Sequence, residues 1–524
     1  MIQSLILAAA LASAAYPVAE TSISQIAADL NARRTTAVAV VQAYLERITA
    51  IDRGGPALHS IIALNPHVLA DARAVDAGRA RGVKLGPLAG VPLLLKDNIE
   101  SADGAATTAG SLALKDNVTG RDAPLVRRLT DAGALILGKT NLSEWANIRS
   151  DHSISGWSAV GGLVKNPYAL DRNACGSSAG TGAAVAASLA AAGVGTETDG
   201  SITCPAAMNG LVGLKPTVGL VSRTHVVPIS HSQDTPGPMA RSVADAALLL
   251  TALAGSDPQD LATAQADSHR ADYAAALVGA TLKGKRLGVL RFAVSDNPVE
   301  AALFDATLAQ LKSAGAEIVE IKDYRPDPAM GEAEGVILFT ELKTDLNAYL
   351  AATPASVKTR TLADVIAFDK ATPRELALFD QDLFEKAEQT KGLADADYLK
   401  AKAAARRLSA DQGIDGLIAK YRVDALVAPS FGPAWRIDVV GGDHASGSIG
   451  GLAAVAGYPH LTVPMGQIRG LPVGFSFVGP AWSEARLLAL GSAFETVVQG
   501  RKPPTYAASV ELEPGVAGAL SPMP

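Results

Sequence analysis

Residues 175–217 read CGSSAGTGAAVAASLAAAGVGTETDGSITCPAAMNGLVGLKPT, a run in which glycine, alanine, serine and threonine displace nearly every large side chain. A helix of such residues, Gly180 to Ala191, brings no bulk of its own to a core. It has to lie close against other backbone, between two tight turns. Serines stand at loop positions at both of its ends. The chain around this block must therefore supply a layer for it to pack on.

The flanking sequence supplies one. Short apolar runs at 91–99 (VPLLLKDNI), 134–141 (ALILGKTN), 193–200 and 211–216 read as strands, and APLVRRLTDAG (123–133) and SVADAALLLTALAG (242–255) read as helices. Thr21 or Ser22 and Thr35 or Thr36 can cap two further helices within 21–50. Residues 256–285 are loop-rich, RLGVLR (286–291) restarts a strand, and 299–315 a helix. From about 323 to 420 the pattern is mostly helical and reads as an insertion covering a central sheet. Strands return at 424–430, 460–466 and 471–479, followed by the helix SEARLLALGSAFETVV. Strands alternating with helices predict an α/β fold with a mixed sheet. No fixed-period repeat interrupts it.

Composition narrows the function. With 46 Lys plus Arg against 52 Asp plus Glu, the net charge is −6, so no basic footprint points to nucleic acid. Eight histidines occur with no H-E-x-x-H, H-x-x-H or C-x-x-C spacing, so neither a metal nor a cofactor is expected. The only cysteines, Cys175 and Cys204, are read as packing residues. A bridge between them is compatible with the sequence, and no spacing argument decides it.

The N-terminus, IQSLILAAALASAAY (2–16), is too short to span a bilayer comfortably but fits the apolar region of a secretory signal peptide, although no Lys or Arg precedes it. The sequence predicts a signal peptide over 1–19, a single catalytic domain over 20–505 and a loose tail over 506–524. It also predicts a secreted or periplasmic location. No later run reaches membrane length, so no stable membrane insertion is expected; the oligomeric state is left open.

Two local motifs are decoys. GALILGKT (133–140) matches G-x-x-x-x-G-K-[ST], but its Ala-Leu-Ile-Leu centre belongs in a buried strand and not in a loop of amides around phosphate. GSSAG (176–180) matches a nucleophile elbow at Ser178, but NPYALDRNAC before it is a poor strand, and the elbow requires one. The S-x-x-K spacing of β-lactamases does not occur.

The whole block, with GVPLLLKDNI (90–99), GKTNLSEWAN (138–147), GLVGLKPT (210–217), SQDTPGPMARSVADAA (232–247), LTVPMG and LPVGFSFVG, closely resembles the amidase signature family of serine hydrolases, most like its bacterial peptide amidases. That resemblance implies a large mixed sheet covered by helices on both faces. The activity implied is hydrolysis of a carboxylic amide to acid and ammonia, on a small-molecule or peptide amide substrate. The alternatives are an aryl or small aliphatic amide hydrolase, or an amidotransferase A-like subunit feeding ammonia to misacylated tRNA. It also implies roles. Ser201 matches the nucleophile, Ser177 the bridging serine after a cis peptide bond, and Lys96 the base. Thr198, Asp199, Gly200 and Ser201 match the turn whose backbone N–H groups form the oxyanion hole. The family has Gly where Asp199 stands, so strain is expected there if the backbone needs a positive φ.

The residue types suit the reaction. An amide is split most readily through an acyl-enzyme, and a serine hydroxyl needs a base. Lysine is a poor base at its usual pKa of about 10.4, but burial disfavours the ammonium. VPLLL delivers Lys96 into a dry interior, where the bland alternative is a lysine paired with Asp97. Ser178 fits either an orienting role beside Ser201 or a simple helix N-cap. Asn98, Glu144 and Trp145 are candidates for shaping the pocket.

Overall fold

The computed structural model of the chain describes residues 16–445 and 448–522. Most of the expected signal peptide, up to residue 15, lies outside them. An 11-stranded mixed sheet forms the framework. Its strands are β1 (Ile61–Leu64), β2 (Pro92–Lys96), β3 (Leu135–Thr140), β4 (Ala192–Glu197), β5 (Val212–Lys215), β6 (Thr235–Ala240), β7 (Arg286–Leu290), β8 (Glu317–Ile321), β9 (Ala425–Pro429), β10 (His460–Ile468) and β11 (Leu471–Val478). They lie side by side in the order β1–β3–β2–β4–β6–β5–β10–β11–β9–β7–β8. Helices flank the sheet, as the α/β pattern predicts.

At the centre, β2 runs parallel to both β3 and β4. All five residues of β2 are buried, which suits a near-continuous apolar run with layers on both faces. Leu95 lies opposite Val194, so Lys96 and Glu197 end neighbouring parallel strands. Sites in such sheets form at the carboxyl ends of the strands. The phosphate-loop decoy is β3, buried along its whole length.

The small-residue block packs as its composition requires. Helix α1 (Ala179–Ala186) is buried at every position. A Cβ at Gly193 would sit 2.6 Å from Thr181 Cγ2, and one at Gly195 would sit 2.8 Å from Ser178 Oγ. Neither strand position can hold a larger residue without parting helix and sheet. Helix α2 (Thr203–Met208), equally buried, follows the next turn.

The helical stretch includes α3 (Ala329–Ala351) and α4 (Ala396–Arg406). Leu342, Leu346 and Leu350 of α3 pack with Ala109, Leu114, Trp145 and Val227. This layer thus rests on loops, two of them at the carboxyl ends of β2 and β3, while Met330 at the start of α3 packs with the sheet residues Leu290, Ile321 and Leu426. The tail departs from the expectation of looseness. Val510 is buried, Arg172 pairs with Glu511 at 2.6 Å, and Pro514–Leu520 is helical. Backbone bonds from Tyr506 to the Pro167 carbonyl and from Leu170 to the Ala507 carbonyl, at 2.9 and 2.8 Å, tie its start to the body as well.

Candidate active site

Three segments converge at the ends of β2 and β4. β2 delivers Lys96, the turn before α1 delivers Ser177 and Ser178, and the turn between β4 and α2 delivers residues 198–201. The Gly176–Ser177 peptide bond is cis.

Lys96 is fully buried. Its Nζ lies 2.7 Å from Ser177 Oγ, 2.9 Å from Thr196 Oγ1 and 3.1 Å from the Thr196 carbonyl. Asn98 Nδ2 donates to the same Thr196 hydroxyl at 3.0 Å. Among the described residues no carboxylate reaches Lys96 within ion-pair distance. Its sequence neighbour Asp97 is taken by Lys139 at 3.9 Å and by Thr108, so the Lys96–Asp97 pairing does not form. Burial pulls the Lys96 amine down to about 7, against a smaller upward pull from Asp234 and Glu197. A neutral amine so placed can accept the Ser177 hydroxyl proton.

Ser177 is fully buried, and Ser201 is 7% exposed. No hydrogen bond joins their hydroxyls. The structure therefore forms the lysine half of the expected relay and leaves the Ser201 hydroxyl free. Ser178 joins the two turns: its N–H donates to the Ser201 carbonyl at 3.1 Å. Its Oγ donates to the Thr196 carbonyl at 3.2 Å and accepts the Thr196 N–H at 3.3 Å. It makes no side-chain cap bond to α1, so the orienting geometry is present and the N-cap is not.

The turn itself is held at both ends. Glu197 Oε2 accepts the N–H groups of Ile202 and Thr203 at 2.7 and 2.8 Å. Thr198 Oγ1 donates to Asp234 Oδ1 at 2.6 Å. Gly200 alone in the turn takes a left-handed conformation, φ +77°, so the strain anticipated at Asp199 does not arise. Among the described residues, the backbone N–H groups of Thr198, Asp199, Gly200 and Ser201 have no protein acceptor. Such free donors are what an oxyanion hole offers. Asp199 is exposed at the turn. The ring of Phe431 closes on Gly200, 3.2 Å from where a Cβ would stand.

Cys175 and Cys204 form a disulfide, which corrects the packing-residue reading. The bond ties the residue before Gly176–Ser177 to the helix after Ser201. Of the pocket candidates, Asn98 reaches the site through Thr196. Glu144 does not: it pairs with buried Arg149 at 2.7 Å. Trp145 packs edge-on to Phe384. Thr196, Glu197 and Asp234 were missed by sequence reasoning. Each lies inside a motif that marks the site, but their partners are set by tertiary packing.

Comparison with known proteins establishes the family. Residues 39–488 match the family model described as Amidase. The native peptide amidase from Stenotrophomonas maltophilia is 50% identical, with a TM-score of 0.89 over 94% of this chain and 99% of that one. An amidase family protein from Bacillus anthracis is 33% identical, with a TM-score of 0.84 over 93% of each chain. A glutamyl-tRNA(Gln) amidotransferase chain from Halorhodospira halophila is 35% identical over 512 residues, covering 92% of this chain and 98% of that protein. This chain belongs to the amidase family and is a hydrolase of amide C–N bonds.

Proposed function

We propose that the enzyme removes ammonia from C-terminal peptide amides, with Ser201 as nucleophile, Ser177 as proton relay and Lys96 as base. The observation that carries the mechanism is the 2.7 Å contact between Lys96 Nζ and Ser177 Oγ in a buried setting where, among the described residues, no carboxylate lies within ion-pair distance of the amine. Neutral Lys96 accepts the Ser177 proton as Ser177 takes that of Ser201. The Ser201 hydroxyl rotates toward Ser177, and its oxygen bonds to the amide carbon. The carbonyl electron pair moves onto oxygen, where the backbone N–H groups of 198–201 stabilise it, by roughly 3–4 kcal/mol per donor. Collapse breaks the C–N bond, and the relay returns its proton to the departing nitrogen, giving ammonia and an ester on Ser201. Water repeats the path and releases the acid.

The peptide amidase at 50% identity supports the substrate class. A matched pair tests it: a peptide with a C-terminal amide, and one whose only amide group beyond the backbone is an Asn or Gln side chain. Ammonia release from the first alone is the expected result. Release from the second would favour the other reading, a glutamine-using amidotransferase component, which the amidotransferase relative supports. Release from neither would move the substrate to aryl or small aliphatic amides.

Export is part of the same proposal. The disulfide between Cys175 and Cys204 suits an oxidising compartment. Val18 is buried and Glu20 pairs with Arg501, so the last residues of the expected 1–19 segment pack with the fold. No helix among the described residues is long and apolar enough to cross a membrane.

A further inference from the structure

Loop 228–234 lies between the catalytic turn and the helical cover, and it is bonded to both. On the inner side Asp234 accepts the Thr198 hydroxyl. Gln233 Nε2 reaches the Thr198 carbonyl at 3.4 Å and donates to Glu334 of α3 at 2.8 Å. The second Asp234 oxygen accepts the N–H groups of Ile229 and Ser230 at 2.8 and 2.9 Å, which ties the two ends of the loop together. On the outer side, buried Glu341 of α3 accepts from Ser230 Oγ, from the N–H and Oγ of Ser232, and from Tyr398 of α4.

His231 closes this assembly. Its Nδ1 lies 2.8 Å from Asp345 and its Nε2 3.2 Å from Glu341, two carboxylates one helical turn apart on α3. Its N–H also donates to Asp345, at 3.0 Å. Both ring nitrogens thus face acceptors, an arrangement only the doubly protonated ring satisfies fully. The ring borders a cavity of about 560 Å³ whose walls include Arg223, Asp345 and Tyr349, and it touches none of Lys96, Ser177 and Ser201.

We propose that loop 228–234 is a clasp through which the helical cover fixes the Thr198 end of the oxyanion turn, with His231 as its positioning residue. The proposal rests on the assignment of residues 198–201 as that turn. The charged and titratable groups around His231 are Asp345 and Glu341 on α3, Lys402 and Tyr398 on α4, and Arg223, which donates to the His231 carbonyl and is held by Asp260. The hydrogen bond that the ring donates to Asp345 raises the imidazole above its ordinary range, against burial and Lys402. The clasp is closed while His231 carries its proton and loosens as pH rises through that raised value.

The test uses His231→Gln and Asp345→Asn in the full chain, with Ser201→Ala alongside. A misplaced oxyanion turn is expected to lower kcat by about tenfold or more, with KM within about twofold. A peptide aldehyde, whose carbon bonds to Ser201 to give an oxyanion, should lose affinity by the same factor as kcat/KM. The double variant should be no worse than either single one, and the alkaline decline of the wild-type profile should vanish in His231→Gln. A folded His231→Gln enzyme with wild-type kcat and aldehyde affinity overturns the clasp, as does a loss confined to KM. If Ser201→Ala still turns over amide, the underlying turn assignment fails instead.

Discussion

Replacing Ser201 by Ala is expected to lower kcat by about 10⁴- to 10⁶-fold on any amide the enzyme accepts, the range seen when a hydrolase loses its nucleophile. The folded chain should survive the change. The Ser201 hydroxyl makes no hydrogen bond among the described residues, so alanine leaves no partner unpaired. Ser177→Ala should be comparably inactive but less stable. Its hydroxyl is one of the three partners of buried Lys96 Nζ, and removing it leaves that nitrogen one partner short away from water. Activity assays paired with thermal melts separate the two: a dead, stable Ser201→Ala and a dead, weakened Ser177→Ala. Equal destabilisation of both would indicate that Ser201 has a structural role its contacts do not reveal.

The second large effect is expected at Lys96. Lys96→Met should remove nearly all turnover, because among the described residues no other base reaches Ser177. Its stability should rise. In the unfolded chain Lys96 holds its proton up to about pH 10.4, whereas burial lowers it to about 7 in the fold. Between these values the unfolded state binds the extra proton. The lysine's burden on stability therefore shrinks as pH rises through this window, and methionine removes it. In the wild type, kcat/KM should climb about tenfold per pH unit below pH 7 as neutral Lys96 accumulates, then level off until the His231 clasp loosens. A rate flat from pH 5 to 9 would contradict a lysine base.

How far the sequence spoke depends on whether local pattern or tertiary contact sets a feature. β2 was legible because a strand buried on both faces must be apolar throughout. The close packing of α1 was legible because only small residues permit it. β6, TPGPMA, was not: two prolines argue against a central strand. It is tolerated because β5 pairs only with Met239 and Ala240, leaving Pro236 and Pro238 beside β4 alone. β8 was missed as well, a five-residue edge strand, EIVEI, in which two glutamates break the apolar run.

At the site, Lys96, Ser177 and Ser201 were assigned through the resemblance to the amidase signature family, each by the motif that holds it. Their supports were not. Nothing local to Glu197 says that its carboxylate will close the turn onto α2. Nor does SQDTPGP reveal that Asp234 reaches Thr198 across 36 positions. The bridge between Cys175 and Cys204, separated by 29 residues, likewise depends on two turns meeting in space. The tail docks through Val510 and Glu511, two residues whose small apolar and charged signal is lost in a polar segment.

Acid-quenching the enzyme during turnover and mapping the acylated peptide tests the central claim most directly. The account predicts an acyl group on Ser201, lost in Ser201→Ala and accumulating when hydrolysis of the ester is slowed. Acylation of Ser177 or Ser178 instead, or turnover with no covalent intermediate under any condition, would contradict it.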